Sequence, residues 1–196
     1  MTQAETLSTS RRTVMLSWTS DDAARVESVR VQLGPRGVKA SGGIVAAETS
    51  AHPAFSSSYD LVVDDEGVTR RLSLRTTTLS GEHEMALKRD TEGFWLVDDG
   101  RGAQRLSYGG AVDVDVALSP LFNTIAVRRL SMSTVDVDLD LPVVYVALPE
   151  LTVTGETEHY RSVAGQITST TPRGEVELTV DPEGFVLDYP GLARRR

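Results

Sequence analysis

Carboxylate side chains at alternating positions are the feature of this sequence best suited to chemistry. Asp113 and Asp115 share one face of a strand-like segment, and Asp136, Asp138 and Asp140 share one face of another. Side chains two residues apart on a strand project in parallel, about 6.5–7 Å apart. Paired carboxylates can act as catalytic groups or bind a hard cation. The same spacing is typical of a solvated strand face, the interpretation we favour for the second set.

Three more polar side chains follow the first pair of carboxylates after a short turn at residues 119–122. They are Asn123, Arg128 and Arg129. A hairpin at this turn could place Asp115 beside Arg128 or Arg129. An unpaired buried charge is costly, so an interior arginine requires a carboxylate partner. The pair is either an ion pair that stabilises the hairpin or a polar anchor inside an apolar cavity.

Other templates for catalysis or cofactor binding are absent from the sequence. The chain has no cysteine, which excludes disulfides, thiolate nucleophiles, Cys-ligated zinc and iron–sulfur clusters. His52, His83 and His159 are far apart and lack metal-ligand spacing, so we expect them to be surface or hydrogen-bonded histidines. No nucleophile elbow, zinc-protease helix or nucleotide-binding glycine loop occurs. We expect no cofactor and no metal.

The charge and hydropathy of the chain exclude further classes of partner. A net charge of −8 opposes nucleic-acid binding, which depends on clustered Lys and Arg. The three arginines at 194–196 are expected to form a solvated basic tail. No apolar run approaches the ~20 residues of a membrane-spanning helix, and the polar start lacks a secretory signal. We therefore predict a cytoplasmic protein with no integral membrane segment.

Short apolar segments of period two dominate the chain and predict strands. Almost nothing has helical spacing, so we expect antiparallel meanders without crossover helices. So many strands must close or cover their edges. The prediction is an all-β fold, an antiparallel many-stranded sheet curled into a barrel or half-barrel around a cavity. The predicted strands span residues 12–19, 27–33, 42–47, 59–63, 69–76, 84–88, 94–98, 112–118, 125–132, 135–141, 143–148, 161–170, 175–180 and 185–189.

A recurrent Asp-x-Glu-Gly tetrapeptide predicts tight turns between these strands. It occurs at residues 64–67, 90–93 and 181–184, where Asp can cap the turn and Gly can supply a positive φ. The similarity of the last two copies suggests two repeated halves, 12–100 and 105–190. We expect a disordered N-terminal segment at 1–11, a single domain at 12–192 and the basic tail at 193–196.

The chain resembles the bacterial putative glycolipid-binding family, formerly a domain of unknown function. The resemblance lies first in residues 110–130, with Asp-x-Asp, Ser-Pro, Asn-Thr and Arg-Arg-Leu in order. It implies a barrel-like or half-barrel fold with a cavity and a glycolipid-binding role, without a reaction or cofactor. Further matching positions are Trp18, Glu27, Ala40 to Gly42, Tyr59, Val144 to Val146, Pro149, Tyr160 and Asp188 to Leu192.

We favour a non-catalytic protein that binds a lipid or glycolipid-like amphiphile in this cavity. Apolar burial would supply affinity, and a few polar groups would orient a sugar-like or charged head. The predicted polar anchors are Asp113, Asp115, Asn123, Arg128 and Arg129. The predicted aromatic groups of the cavity wall or mouth, for which ordinary core packing is the alternative, are Trp18, Tyr145, Tyr160 and Tyr189.

Two other functions compete with this one. The first is a carboxylate-dependent hydrolase that uses Asp113 or Asp115 as general base on a glycoside or ester, which requires a carboxylate of raised pKa facing a cavity. The second is a β scaffold for protein–protein interaction, whose working surface would be a sheet edge.

Overall fold

A single curled sheet forms the protein in the computed structural model, which describes residues 11–22 and 24–196. The helix of this part of the chain is α1 (Pro120–Arg129), and a short 3₁₀ turn covers Tyr108–Gly110. The strands are β1 (Arg12–Thr19), β2 (Arg25–Gly34), β3 (Gly37–Ala46), β4 (Phe55–Val63), β5 (Thr69–Thr78), β6 (Gly81–Arg89), β7 (Trp95–Asp98), β8 (Ala103–Leu106), β9 (Asp113–Val116), β10 (Val137–Val146), β11 (Val153–Val163), β12 (Gln166–Thr171), β13 (Gly174–Val180), β14 (Val186–Tyr189) and β15 (Ala193–Arg195).

The strands follow one another around the sheet in the order β8 to β1, then β15 down to β9. Every neighbouring pair is antiparallel except β9 and β10, which are parallel. The end strands β8 and β9 do not pair, so the sheet stays open as a half-barrel. The gap is bridged by Ala111, whose carbonyl oxygen accepts hydrogen bonds from Trp95 Nε1 at 2.9 Å and Arg89 Nε at 3.2 Å. The all-β, curled-sheet prediction is confirmed.

Helix α1 connects the parallel strands β9 and β10 as a crossover. Two predictions are therefore wrong: the strand at 125–132 and the absence of crossover helices. Ser119 is the N-cap residue, with extended backbone, and Pro120 occupies the first turn, where its fixed φ suits a helix. The helix has no amphipathic pattern in the sequence because residues 120–127 are all buried, so no polar stripe alternates with an apolar one.

The hydrophobic core lies on both sides of this helix. Leu121, Phe122 and Ile125 pack into a cluster with strands β1 to β7. Ala126 and Val127 pack into a second cluster with strands β10 to β13. The sheet therefore wraps around α1, and the helix ends are the places where its concave side opens.

The three Asp-x-Glu-Gly turns have the predicted structure. Asp64, Asp90 and Asp181 each accept two backbone N–H bonds from residues two and four positions later, at 2.9–3.1 Å. The glycine that closes each turn has φ between +81° and +90°. This φ is accessible to glycine without strain, so these three turns fix the register of the strands around them.

Other predicted boundaries differ from the observed strands. The segments 135–141 and 143–148 form the single strand β10, and 161–170 is divided between β11 and β12 by a turn with positive φ at Ala164 and Gly165. The basic tail is not free: residues 193–195 form β15, which pairs with β1 and β14. The N-terminal segment lies, except for Arg11, outside the described residues. Among those residues no helix is long and apolar enough to cross a membrane.

Candidate functional site

A pocket of about 270 Å³ lies at the N-terminal end of helix α1. We call it the α1 pocket. Its walls come from the end of β9, the first turn of α1, strand β10, the β12–β13 turn and the segment after β14. Its polar and aromatic side chains are Asp115, Ser119, Asn123, Tyr145, Arg173, Glu175 and Tyr189.

The parallel pairing of β9 with β10 brings two of these side chains together. Asp115 is the register partner of Tyr145, so both side chains project from the same face of the sheet toward α1. Asn123 enters from the helix, one turn after its N-cap residue Ser119. A crossover helix that starts directly after β9 therefore places carboxylate, amide and phenol groups in one pocket.

Arg173 crosses the mouth of the α1 pocket from the tip of the β12–β13 turn. Its guanidinium carbon lies 3.8 Å from the centre of the Tyr145 ring. Its nitrogens lie 2.8 Å from a Glu156 carboxylate oxygen and 3.5 Å from Asp115 Oδ2. The Arg173 side chain is 42% exposed, whereas those of Asp115 and Glu156 are 15% and 16% exposed. An accessible cation thus covers largely buried carboxylates.

A second carboxyl group, Glu158, lies behind Asp115. The two groups are within hydrogen-bonding reach of each other. Burial raises the pKa of Asp115 to about 6, although the nearby Arg173 opposes this rise. Burial and the charge of Asp115 raise the pKa of Glu158 well above its ordinary value. The pair therefore keeps a proton to a higher pH than two separate carboxyls would, since two carboxylates this close repel each other when both are ionised.

The inner end of the site contains unused hydrogen-bonding capacity. Asn123 Nδ2 donates to the Tyr160 hydroxyl at 3.0 Å, and burial raises the pKa of Tyr160 well above its usual range. Glu158 Oε1 and Ser169 Oγ are buried without a hydrogen-bond partner in the described part of the chain. Buried polar atoms are normally paired. Neither residue lines the α1 pocket, so a buried water is the natural partner of these two atoms.

The structure divides the predicted site residues among several places. Asp115, Asn123, Tyr145 and Tyr189 line the α1 pocket, and Tyr160 lies behind it. Trp18 is fully buried in the core and donates from Nε1 to the Val186 carbonyl oxygen at 2.9 Å.

The predicted proximity of Asp115 to Arg128 or Arg129 is wrong. Arg129 instead forms an ion pair with Asp113, and both side chains are largely buried. Arg128 donates to the Glu183 carbonyl oxygen. Because this segment is a helix rather than a hairpin, its arginines lie at the end of α1 opposite the α1 pocket. They border a separate cleft of about 440 Å³.

Sequence reasoning missed three charged groups of this region, Glu27, Glu158 and Arg173, as candidate site residues. Glu27 matches the family pattern, and it also alternates with Val29 and Val31, which face the core. Glu158 similarly alternates with buried Tyr160. The period-two pattern could therefore have indicated both buried carboxyls. Arg173 lies in a turn, where no periodicity applies.

Glu27 anchors the start of α1 to the sheet. Its Oε1 accepts hydrogen bonds from Tyr59 Oη at 2.6 Å and Ser119 Oγ at 2.5 Å, while Oε2 has no partner within the described residues. Burial raises the pKa of Glu27 to about 7, against the opposing effect of these two hydroxyls and the Leu121 backbone N–H. This carboxyl group sets the position of the helix end that forms the α1 pocket.

Two other features of the described residues are less suited to be the site. A depression of about 650 Å³ follows the solvent-facing side of β4 to β6 and includes Asp60, Arg75 and Glu84. The face formed by Asp136, Asp138 and Asp140 is exposed as expected, with His159 2.8 Å from Asp140. No group of three potential metal-binding side chains comes together in residues 11–22 and 24–196.

The whole chain is similar to known proteins. The family model described as putative glycolipid-binding matches residues 15–195 of the chain. The chain belongs to this family. A crystal structure of a DUF1089 family protein from Pseudomonas aeruginosa is similar to it, with a TM-score of 0.74 and 25% sequence identity. The similarity covers 88% of this chain and 92% of the other. No curated protein matches the sequence. The glycolipid-binding family assignment therefore rests on nearly the whole domain.

Proposed function

We propose that this member of the glycolipid-binding family is a non-catalytic binding protein whose α1 pocket holds the head group of an amphiphile. The observation that carries the proposal is the convergence of a buried carboxyl pair, an amide and two tyrosines on one pocket. Largely preformed concave sites with a few convergent polar groups are the usual form of small-molecule sites. The family description supports the same class of ligand.

The composition of the pocket favours a sugar-like head. Its volume of about 270 Å³ is just below the roughly 300–1,000 Å³ typical of drug-sized ligands, so it suits a single small ring. Asp115, Ser119 and Asn123 can exchange hydrogen bonds with hydroxyl groups. Tyr145 and Tyr189 supply flat apolar surfaces against which the C–H groups of a ring can pack.

The apolar part of the ligand would lie at the rim. Ala117, Leu118 and Leu192 line the pocket and are partly exposed, and Pro190 beside them is exposed. Each methylene withdrawn from water contributes about 0.8 kcal/mol. Contact with this rim would add affinity, while the polar pocket sets the orientation of the head.

Hydrolysis of a glycoside or ester is the second candidate. It is favoured by the raised pKa of Asp115 and Glu158 beside a pocket, the property expected of a general acid. The two carboxyls are nevertheless within hydrogen-bonding reach, whereas glycosidases separate theirs by about 5–9.5 Å. This close approach supports binding over glycoside hydrolysis. If the pair were catalytic, Asp115→Asn would abolish turnover.

Two-dimensional ¹H–¹⁵N NMR of the full chain tests the proposal, with n-octyl β-D-glucoside added below its micelle concentration. We expect saturable shifts at Asn123 and at the backbone amides around Tyr145 and Tyr189. Tyr145→Leu should weaken binding about tenfold or more, while Tyr108→Leu, outside the pocket, should not. Shifts confined to the groove on β4 to β6, or no shifts, would overturn the proposal and favour a scaffold role.

A further inference from the structure

The charge of the α1 pocket restricts the chemistry of its ligand. Four carboxyl groups, Asp115, Glu156, Glu158 and Glu175, lie in or directly behind it. Among the described lining residues Arg173 is the only cation. An anionic head such as a phosphate would face these carboxylates with one arginine to compensate, so like-charge repulsion opposes it.

Arg173 occupies a position that is suited to bind a cation. Its guanidinium stacks on Tyr145 at 3.8 Å and contacts carboxylates of Glu156 and Asp115. An aromatic face next to carboxylates is the arrangement that recognises ammonium groups in proteins. This position is therefore complementary to any compact cation that can reach it. In this structure the Arg173 side chain occupies it.

The position of Arg173 in a turn allows its side chain to leave the mouth of the α1 pocket. It lies in the turn between Thr171 and Gly174, and the φ of +137° at Gly174 shows how tight this turn is. The side chain is 42% exposed, so it can rotate into solvent without opening the hydrophobic core. Its departure leaves the largely buried Asp115 and Glu156 carboxylates without a partner, so only an incoming cation can replace it.

The carboxylates that the guanidinium contacts call for a donor. They belong to Asp115 and Glu156, whose side chains are 15% and 16% exposed. An ammonium group has three N–H donors and no acceptor. Placed against Tyr145, it could donate to Asp115 and Glu156, the two carboxylates that Arg173 contacts in this structure.

We propose that the head group bound in the α1 pocket carries a primary amine, which takes the place that the Arg173 guanidinium occupies in this structure. This inference rests on the proposed function, because it assumes that the α1 pocket binds a head group. It narrows the ligand class to amino sugars and related amines, and it makes Arg173 a residue that competes with the ligand rather than a contact to it.

Calorimetric titration of the full chain at pH 7 tests the inference with D-glucosamine, N-acetyl-D-glucosamine and D-glucose. We expect glucosamine to bind at least about tenfold more tightly than the two uncharged sugars. Equal or tighter binding of an uncharged sugar would overturn the proposal that the head group carries a primary amine. The proposed binding function of the α1 pocket would still stand. Absence of binding by all three, with no thermal shift, would overturn both.

The Arg173→Gln variant tests whether Arg173 competes with the amine of the ligand. The variant should bind glucosamine more tightly than the parent and glucose equally well, because only the cation competes with the arginine. Arg161→Gln, an exposed arginine on β11, is the matched control and should change neither affinity. In the parent protein the Nε–Hε chemical shift of Arg173 should change toward that of a solvent-exposed arginine when glucosamine is added. Weaker glucosamine binding by Arg173→Gln, or an unmoved signal, would contradict the competition.

Discussion

Asp115 and Glu158 bring their carboxyl groups within hydrogen-bonding reach on the inner face of the sheet, although 43 residues separate them in the chain. Asp115 comes from the parallel end strand β9, and Glu158 comes from β11. Their proximity depends on the curl of the sheet around α1. Two buried carboxyls in contact repel each other when both are charged, so this pair favours binding a proton. The repulsion lowers the stability of the fold, while the same groups make the pocket polar.

Asp115→Asn should stabilise the protein near pH 8. The amide removes the charge that repels Glu158 and keeps the shape of the side chain. We expect a gain of about 1–2 kcal/mol in the free energy of unfolding, since one pKa unit corresponds to about 1.4 kcal/mol. Chemical denaturation measures it. Asp140→Asn, on the exposed strand face, should change stability by less than about 0.5 kcal/mol. A loss of stability in Asp115→Asn would show that the Arg173 contact outweighs the repulsion.

The stability of the protein should fall as pH rises from about 4.5 to 7, in part because of Glu27. Its pKa is raised from 4.5 to about 7 in the folded protein, so the folded state keeps a proton that the unfolded chain has lost. Stability is then fully present below this window and declines through it, by about 3 kcal/mol for Glu27. Denaturation curves across this range measure the decline.

Glu27→Gln is the matched comparison for that pH dependence. The amide oxygen can still accept hydrogen bonds from Tyr59 and Ser119, but the group no longer titrates. We expect the variant to show a decline smaller by about 3 kcal/mol, with the remainder due to Asp115 and Glu158. Identical pH profiles for the two proteins would mean that Glu27 is ionised throughout.

The Asp113–Arg129 ion pair should be essential for stability. Arg129→Met leaves the Asp113 carboxylate, 4% exposed, without its partner. Burial already raises the pKa of Asp113, and Arg129 is the group that opposes this. We expect a loss of about 3–5 kcal/mol, measured by denaturation at pH 7. The control is Arg75→Met, which breaks the exposed Arg75–Glu84 pair and should cost less than about 1 kcal/mol.

Gly42 should tolerate no side chain. A Cβ there would lie 2.5 Å from Tyr59 Oη and 2.9 Å from Val29 Cβ, so Gly42→Ala must displace the tyrosine that donates to Glu27. We expect a loss of about 1–3 kcal/mol, typical of overpacking. Gly34→Ala, whose Cβ would have only an ordinary 3.5 Å contact, is the control. Equal thermal denaturation midpoints for the two variants would contradict this packing.

The strands and their turns were predictable because their signals are local. Alternation of apolar and polar residues marks most strands, and the Asp and Gly of each Asp-x-Glu-Gly turn act within four residues of each other. Helix α1 was not predictable in this way. It is buried on all sides, so its residues 120–127 carry no helical stripe and resemble a core strand.

The site could be predicted only in part for a related reason. Asp115, Asn123, Tyr145 and Tyr189 were selected by residue type and do meet in the α1 pocket. Their partners Glu158 and Arg173 come from strands and turns brought near by the curl of the sheet, which a linear pattern does not specify. A hairpin in place of α1 predicts Arg128 or Arg129 beside Asp115, whereas the helix pairs Arg129 with Asp113.

Native mass spectrometry of protein purified gently from its own host tests the central claim, the binding of an amphiphile in the α1 pocket, most directly. We expect a bound amphiphile at one copy per chain, which organic extraction and lipid analysis then identify. It should be retained by Tyr108→Leu and lost from Tyr145→Leu. A clean mass for the unliganded chain, together with no thermal shift across a panel of lipids and glycolipids, would contradict the binding function.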